Sequence, residues 1–121
     1  MYQRHIIGKQ GEQEAVDYLK SKGYKIIERN FSCRQGELDI IATDEEYIVF
    51  IEIKTRTNIE YGLPSEAVTK RKLDHMLKTI KYYLYIHHLE NANVRIDVIE
   101  VFLTNGYFSF NHLKQIIWHL H

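Results

Sequence analysis

Cysteine and proline are almost missing from this chain of 121 residues, which has one of each. A lone Cys33 can form no internal disulfide, so a disulfide-stapled secreted domain is excluded and a reducing cytoplasm is the expected setting. No motif surrounds that thiol, and it reads as a passive strand residue rather than a nucleophile. The single proline, Pro64, and the lack of any Gly/Ser-rich stretch leave no linker, so one domain spanning 1–121 is expected. Repeats and low-complexity tracts are also missing. No apolar run approaches the ~20 residues that span a bilayer, and the opening MYQRHIIGKQGEQE lacks the long apolar segment of a signal peptide. No membrane partner is therefore expected. An excess of one charge is lacking too: the net charge is zero, which counts against a strongly basic nucleic-acid binder.

The distribution of charge is less even than its sum. Residues 1–34 carry seven Lys/Arg against four Asp/Glu, 35–54 carry one against six, and 55–88 carry six against three. A basic excess flanking an acidic centre suits phosphate held beside a cation pocket, and it also suits helices with solvated basic faces. The acidic centre is GELDIIATDEEYIVFIEIKTR, Gly36 to Arg56, which reads as two apolar strands joined by the turn Thr43-Asp44-Glu45-Glu46. Side chains alternate along a strand, so Ile48, Phe50, Glu52 and Lys54 share one face of the second strand. In the first, Leu38, Ile40 and Ala42 share one face and Asp39 and Ile41 the other. A hairpin closing over Asp44 to Glu46 sets Asp39 opposite Glu52, and Glu37 opposite Lys54 as a cross-strand ion pair. Like charges opposite each other destabilise an antiparallel pair: at about 5 Å and an effective dielectric of about 20, the repulsion is roughly 3 kcal/mol. A divalent cation would offset it, helped by a lysine one alternation away.

The flanking segments supply further candidates. A first helix is expected from about Ile7 or Lys9 to Lys22, stopped by Gly23. Gly8, Gly11, Ala15 and Leu19 line its inward face, which Glu12 borders while Glu14 and Asp17 fall outside. A carboxylate at that edge needs a partner, either a nearby Lys, Arg or backbone amide, or a shared metal or water. Tyr24 to Cys33 reads as an extended segment with a bulge or bend at Arg29-Asn30. Beyond Lys54, Arg56 is placed to contact phosphate or to pair with Glu60 or Glu66. Gly62-Leu63-Pro64 is a turn, and Ser65 or Thr69 can cap a second helix running to His88. Lys70, Arg71 and Lys72 crowd the start of that helix, the wrong end for cations, which points to a phosphate or to pairing with Glu66 and Asp74. Its apolar stripe is Leu73, Met76, Leu77, Ile80, Tyr83, Leu84 and Ile86.

Asn91-Ala92-Asn93 is a turn into the apolar strand Val94 to Leu103, on which Arg95 and Asp97 share a face as a structural pair. Asn105-Gly106 signals a tight hairpin to Tyr107–Phe110, and Asn111 can cap a short final helix with Leu113, Ile116, Ile117 and Trp118. His87-His88 and His119-Leu120-His121 lack zinc-ligand spacing and read as non-catalytic.

The order helix, strand, Asp-bearing strand, Glu-x-Lys strand, helix resembles the PD-(D/E)xK nuclease superfamily, which includes restriction endonucleases and Holliday-junction resolvases. More closely, the chain resembles the YraN-like family of small bacterial proteins. That likeness rests on Gly11-Glu12 with Ala15, Gly23-Tyr24, Arg29-Asn30, Gly36-Glu37-Leu38-Asp39, Phe50 to Arg56, Gly62-Leu63-Pro64, Lys72 and Arg95-Ile96-Asp97-Val98. The resemblance implies an α/β, restriction-endonuclease-like αβββαβ core with a mixed sheet flanked by helices. It further implies a Mg²⁺- or Mn²⁺-dependent nuclease acting on DNA, with Asp39, Glu52 and Glu12 as metal ligands. Lys54 would orient water or stabilise the transition state, and Arg56, Lys70 and Lys72 would contact phosphate. Resolvase-like proteins work as dimers, which implies a homodimer. Leu38 stands where the superfamily carries proline. A non-catalytic nucleic-acid-binding or protein-interaction module on the same fold is the alternative expectation.

Overall fold

The computed structural model describes residues 2–56 and 69–116, with side chains described from Ile7 onward. The elements follow in the order α1 (Tyr2–Ser21), β1 (Lys25–Cys33), β2 (Gly36–Asp44), β3 (Tyr47–Arg56), α2 (Lys70–Ile86), β4 (Asn93–Thr104) and β5 (Tyr107–Leu113). This is the expected αβββαβ core with one more strand. Asn111, expected to cap a final helix, instead lies in β5, and its side chain donates to Glu100 on β4 at 2.9 Å. The Gly62-Leu63-Pro64 turn, Ser65, and Ile117 and Trp118 lie outside the described residues.

One five-stranded sheet has the order β1-β2-β3-β4-β5; β3 and β4 run parallel and the other pairs antiparallel. Alternation sends Ile40, Ala42, Val49 and Ile51 to one face, where they meet Ala15, Val16 and Leu19 of α1. Ile41, Ile48, Phe50 and Ile96 go to the other and meet Leu73, Met76, Ile80 and Tyr83 of α2. Helices thus cover both faces of the mixed sheet, the layering that buries a sheet whose strands are apolar on both sides.

Turn chemistry fixes the ends. Gly23, at φ 93°, closes α1: its N–H donates to the Lys20 carbonyl and that of Tyr24 to the Leu19 carbonyl, both at 3.0 Å. Thr69 caps α2 by accepting the Lys72 N–H at 3.2 Å. Asn105 and Gly106, at φ 51° and 81°, form the tight turn between β4 and β5.

One face assignment differs from the alternation rule. Leu38 packs with Ile41 in the α2-side core, not with Ile40 and Ala42. It pairs with Phe31, which also faces α2, and the residue before Phe31 in β1, Asn30, is left-handed at φ 55°. A left-handed residue breaks the regular pleat there. A register shift at Ile26/Glu28 adds a second irregularity to β1.

On the α1 side a buried polar cluster ties the strands together. Arg95 donates to Asp97 (3.0 and 3.1 Å), Asp44 (2.9 Å) and the Tyr24 hydroxyl (2.5 Å). His112 Nε2 meets Asp97 Oδ2 at 2.7 Å, and the Gln115 N–H donates to Asp97 Oδ1 at 3.1 Å. The expected Arg95–Asp97 pair is thus one edge of a larger network. Among the described residues, no helix is long and apolar enough to cross a membrane.

Candidate active site

The β2–β3 ladder has the register expected from its acidic turn, running from Asp44↔Tyr47 to Ile40↔Ile51. Beyond Ile40 the pairing gives way to a side chain: the Ile53 N–H donates to Asp39 Oδ2 at 2.8 Å. Asp39 and Glu52 come together just there, and both line a cavity of about 310 Å³ with Glu37, Lys72, His75 and Met76. Burial foremost, then the negative charge of Glu52, pushes the Asp39 carboxyl up to about 7. The Ile53 N–H opposes that shift, and the charge of Glu12 adds to it.

Two ammonium groups answer the carboxylates. Glu52, whose side chain is 9% exposed, is 3.7 Å from Lys54 Nζ through its Oε2, and the same oxygen is in contact with Lys72 Nζ. Burial and the neighbouring Lys72 hold Lys54 below the ordinary lysine range. Burial works against the charge of Lys72 as well, but its hydrogen bond to Glu52 and the negative charges of Glu52 and Asp39 outweigh this and raise it. Lys54 therefore pairs along its own strand with Glu52, and the cross-strand pair with Glu37 does not form.

The other candidates divide. Glu12, half-buried on α1, is turned to β1, accepting from Arg29 Nη2 at 2.9 Å and Asn30 Nδ2 at 3.2 Å. It remains close enough for its charge to act on Asp39. Arg56 reaches Glu100 at 3.4 Å and does not line the cavity. Lys70 is exposed in the first turn of α2 and does not line it either. Three lining residues, Glu37, His75 and Met76, are not among the site candidates expected from sequence, and the first two have a signal there. Glu37 lies one alternation before Asp39, and His75 lies three residues after Lys72 on one helical face.

Asp39 and Glu52 supply hard oxygen donors. That suits Mg²⁺, which keeps several waters and binds through one or two carboxylates together with substrate phosphates. Among the described residues, no group of three or more His, Cys, Asp or Glu could hold a metal ion, and Glu12 is engaged by Arg29 and Asn30. The donor set fits a cation shared with a phosphate better than an all-protein cage.

Relatives carry the comparison across nearly the whole chain. A UPF0102 protein of Clostridium botulinum strain Hall is 50% identical over 112 residues, 90% of this chain and 91% of the relative. One of Caldicellulosiruptor saccharolyticus is 43% identical over 111 residues, 90% and 94% of the two chains. One of Caldanaerobacter subterraneus subsp. tengcongensis is 40% identical over 114 residues, 94% and 93%. The uncharacterised protein family UPF0102 matches residues 11–101, a span that includes Asp39, Glu52, Lys54 and Lys72, and the chain belongs to that family.

Proposed function

We propose that this protein is a metal-dependent nuclease of the PD-(D/E)xK type that hydrolyses phosphodiester bonds in DNA. The observation that carries the reading is the meeting of Asp39 and Glu52 at the end of the β2–β3 ladder with Lys54 3.7 Å from Glu52. Packing that drives two carboxylates together costs stability unless a cation joins them. Asp39 and Glu52 would hold Mg²⁺ or Mn²⁺, which when bound supplies Lewis acidity toward the phosphate and a more acidic water.

The remaining steps belong to the chain. The Ile53 N–H fixes the Asp39 carboxylate in the cavity wall. Lys54 orients the attacking water or stabilises the charge that develops on the phosphoryl oxygens. Lys70 and Lys72, at the positive end of α2, draw the phosphate backbone to the cavity mouth. Glu12, clamped by Arg29, adds negative potential at its edge. Arg56, paired with Glu100, holds the end of β3. A homodimer would present two such sites to a branched substrate.

Cleavage of labelled single-stranded, duplex, flap and four-way-junction DNA with Mg²⁺, Mn²⁺ or EDTA tests this directly. Metal-dependent cutting by the wild type, lost in both Asp39→Asn and Lys54→Ala, is the expected result. The contact of Lys72 with Glu52, which neutralises the glutamate without metal, favours a second reading, a non-catalytic nucleic-acid-binding module. DNA bound equally well in EDTA and never cut would put that reading first.

A further inference from the structure

Two lysines answer the Asp39–Glu52 pair, Lys72 in the cavity wall and Lys54 beside Glu52, and they are not equivalent. Lys54 comes from the strand that carries Glu52, two residues on, and has no backbone freedom to leave it. Lys72 comes from another element and reaches Glu52 through a long, flexible stem whose side chain is still 38% exposed. Its backbone is pinned by the Thr69 cap and by the burial of Leu73 and Met76, so only the ammonium can move, toward solvent. Lys72 and Lys54 converge on the same oxygen of Glu52, Oε2.

We propose that Lys72 is a resident counter-ion of Glu52 that a divalent cation replaces, so that α2 sets the metal affinity of the site. The inference rests on Asp39 and Glu52 being the metal-binding pair. A buried carboxylate needs a cationic or hydrogen-bonding partner at all times, and Lys72 supplies it when no metal does. A dication sharing that carboxylate adds positive charge where an ammonium already sits, and like charges so close disfavour each other. Lys72 yields because it is the more exposed of the two, 38% against 28% for Lys54, and its stem comes from another element and leads to solvent. Metal affinity is thereby lowered by the free energy of the Lys72–Glu52 contact, and the ammonium is released only in the loaded site.

Calorimetric titration of the full chain with Mn²⁺ at mildly alkaline pH tests this on the wild type, Lys72→Met, Lys72→Arg, Arg71→Met and Asp39→Asn. Lys72→Met should bind Mn²⁺ at least about fivefold tighter than the wild type, the lower end of ordinary coupling between sites. Lys72→Arg, which restores the cation, and Arg71→Met, which removes an exposed charge from the same turn, should stay near the wild-type value. In wild-type protein, the slowly exchanging ammonium signal of Lys72 in nitrogen-15 NMR should disappear on saturation with Mg²⁺. Unchanged or weaker Mn²⁺ binding by Lys72→Met, or an ammonium signal that survives Mg²⁺, overturns the exchange while leaving the carboxylate pair as the metal site. Wild type that binds no Mn²⁺, or binds it no better than Asp39→Asn, overturns both.

Discussion

Asp39 accepts one backbone N–H, but its burial, and after it the charge of Glu52, outweighs that bond. Its carboxyl is raised from 3.8 to about 7, so it binds a proton more tightly in the folded chain than in the unfolded one. Its protonated form therefore favours folding most below pH 3.8, and that advantage is gone once the pH has risen through about 7. Asp39→Asn keeps an acceptor for Ile53 and removes the charge. It should make the metal-free protein more stable by about 1–3 kcal/mol at mildly alkaline pH, with the gain vanishing in acid, as urea unfolding would show. A loss of stability at alkaline pH would instead make the carboxylate a structural group.

Among the elements, the seat of α1 is decided at Gly11. A Cβ there would lie 2.5 Å from Thr55 Oγ1 and 3.1 Å from Cγ2 on β3, so only glycine lets the helix come this close. Gly11→Ala should cost about 1–3 kcal/mol in thermal or urea unfolding, by overpacking. Adding Thr55→Ala should recover much of it, and additive losses in the double variant would show that the contact is not the cause. The helix, its inward glycine and its Gly23 stop were legible from spacing and turn chemistry, as was the β2–β3 register, because period-two alternation and a short acidic turn leave little choice. Leu38 was misplaced because nothing in Arg29-Asn30 says which residue turns left-handed. Asn111 was misread because a cap and a strand position next to a buried glutamate look alike in sequence. The contact of Lys72 with Glu52 was not legible at all, since alternation and helical periodicity each describe one element and say nothing of the distance between two.

At the scale of the whole molecule, the cluster around Asp97 joins β2, β4, β5 and Tyr24, the residue before β1, through single side chains. Asp97 is fully buried; burial alone would raise its carboxyl, but His112, Arg95 and the Gln115 N–H outweigh that and hold it below the usual range. A depressed carboxyl contributes stability that is complete above its unfolded value of 3.8 and is lost as the pH falls through the folded one. Asp97→Asn should cost about 1.5–3 kcal/mol at neutral pH by removing one of the two carboxylates that pair with Arg95, and should flatten the acid limb of the stability curve. Denaturant unfolding at neutral and acid pH would check both, and a loss that is the same at every pH would refute the electrostatic origin. Chain direction has a further consequence. Since β3 and β4 point the same way, the helix between them must run back against both, and its first turn returns to the carboxyl end of β3, where Glu52 and Lys54 lie. A cationic end of a helix beside the acidic pair is therefore inherited from connectivity, whatever residues make up the link.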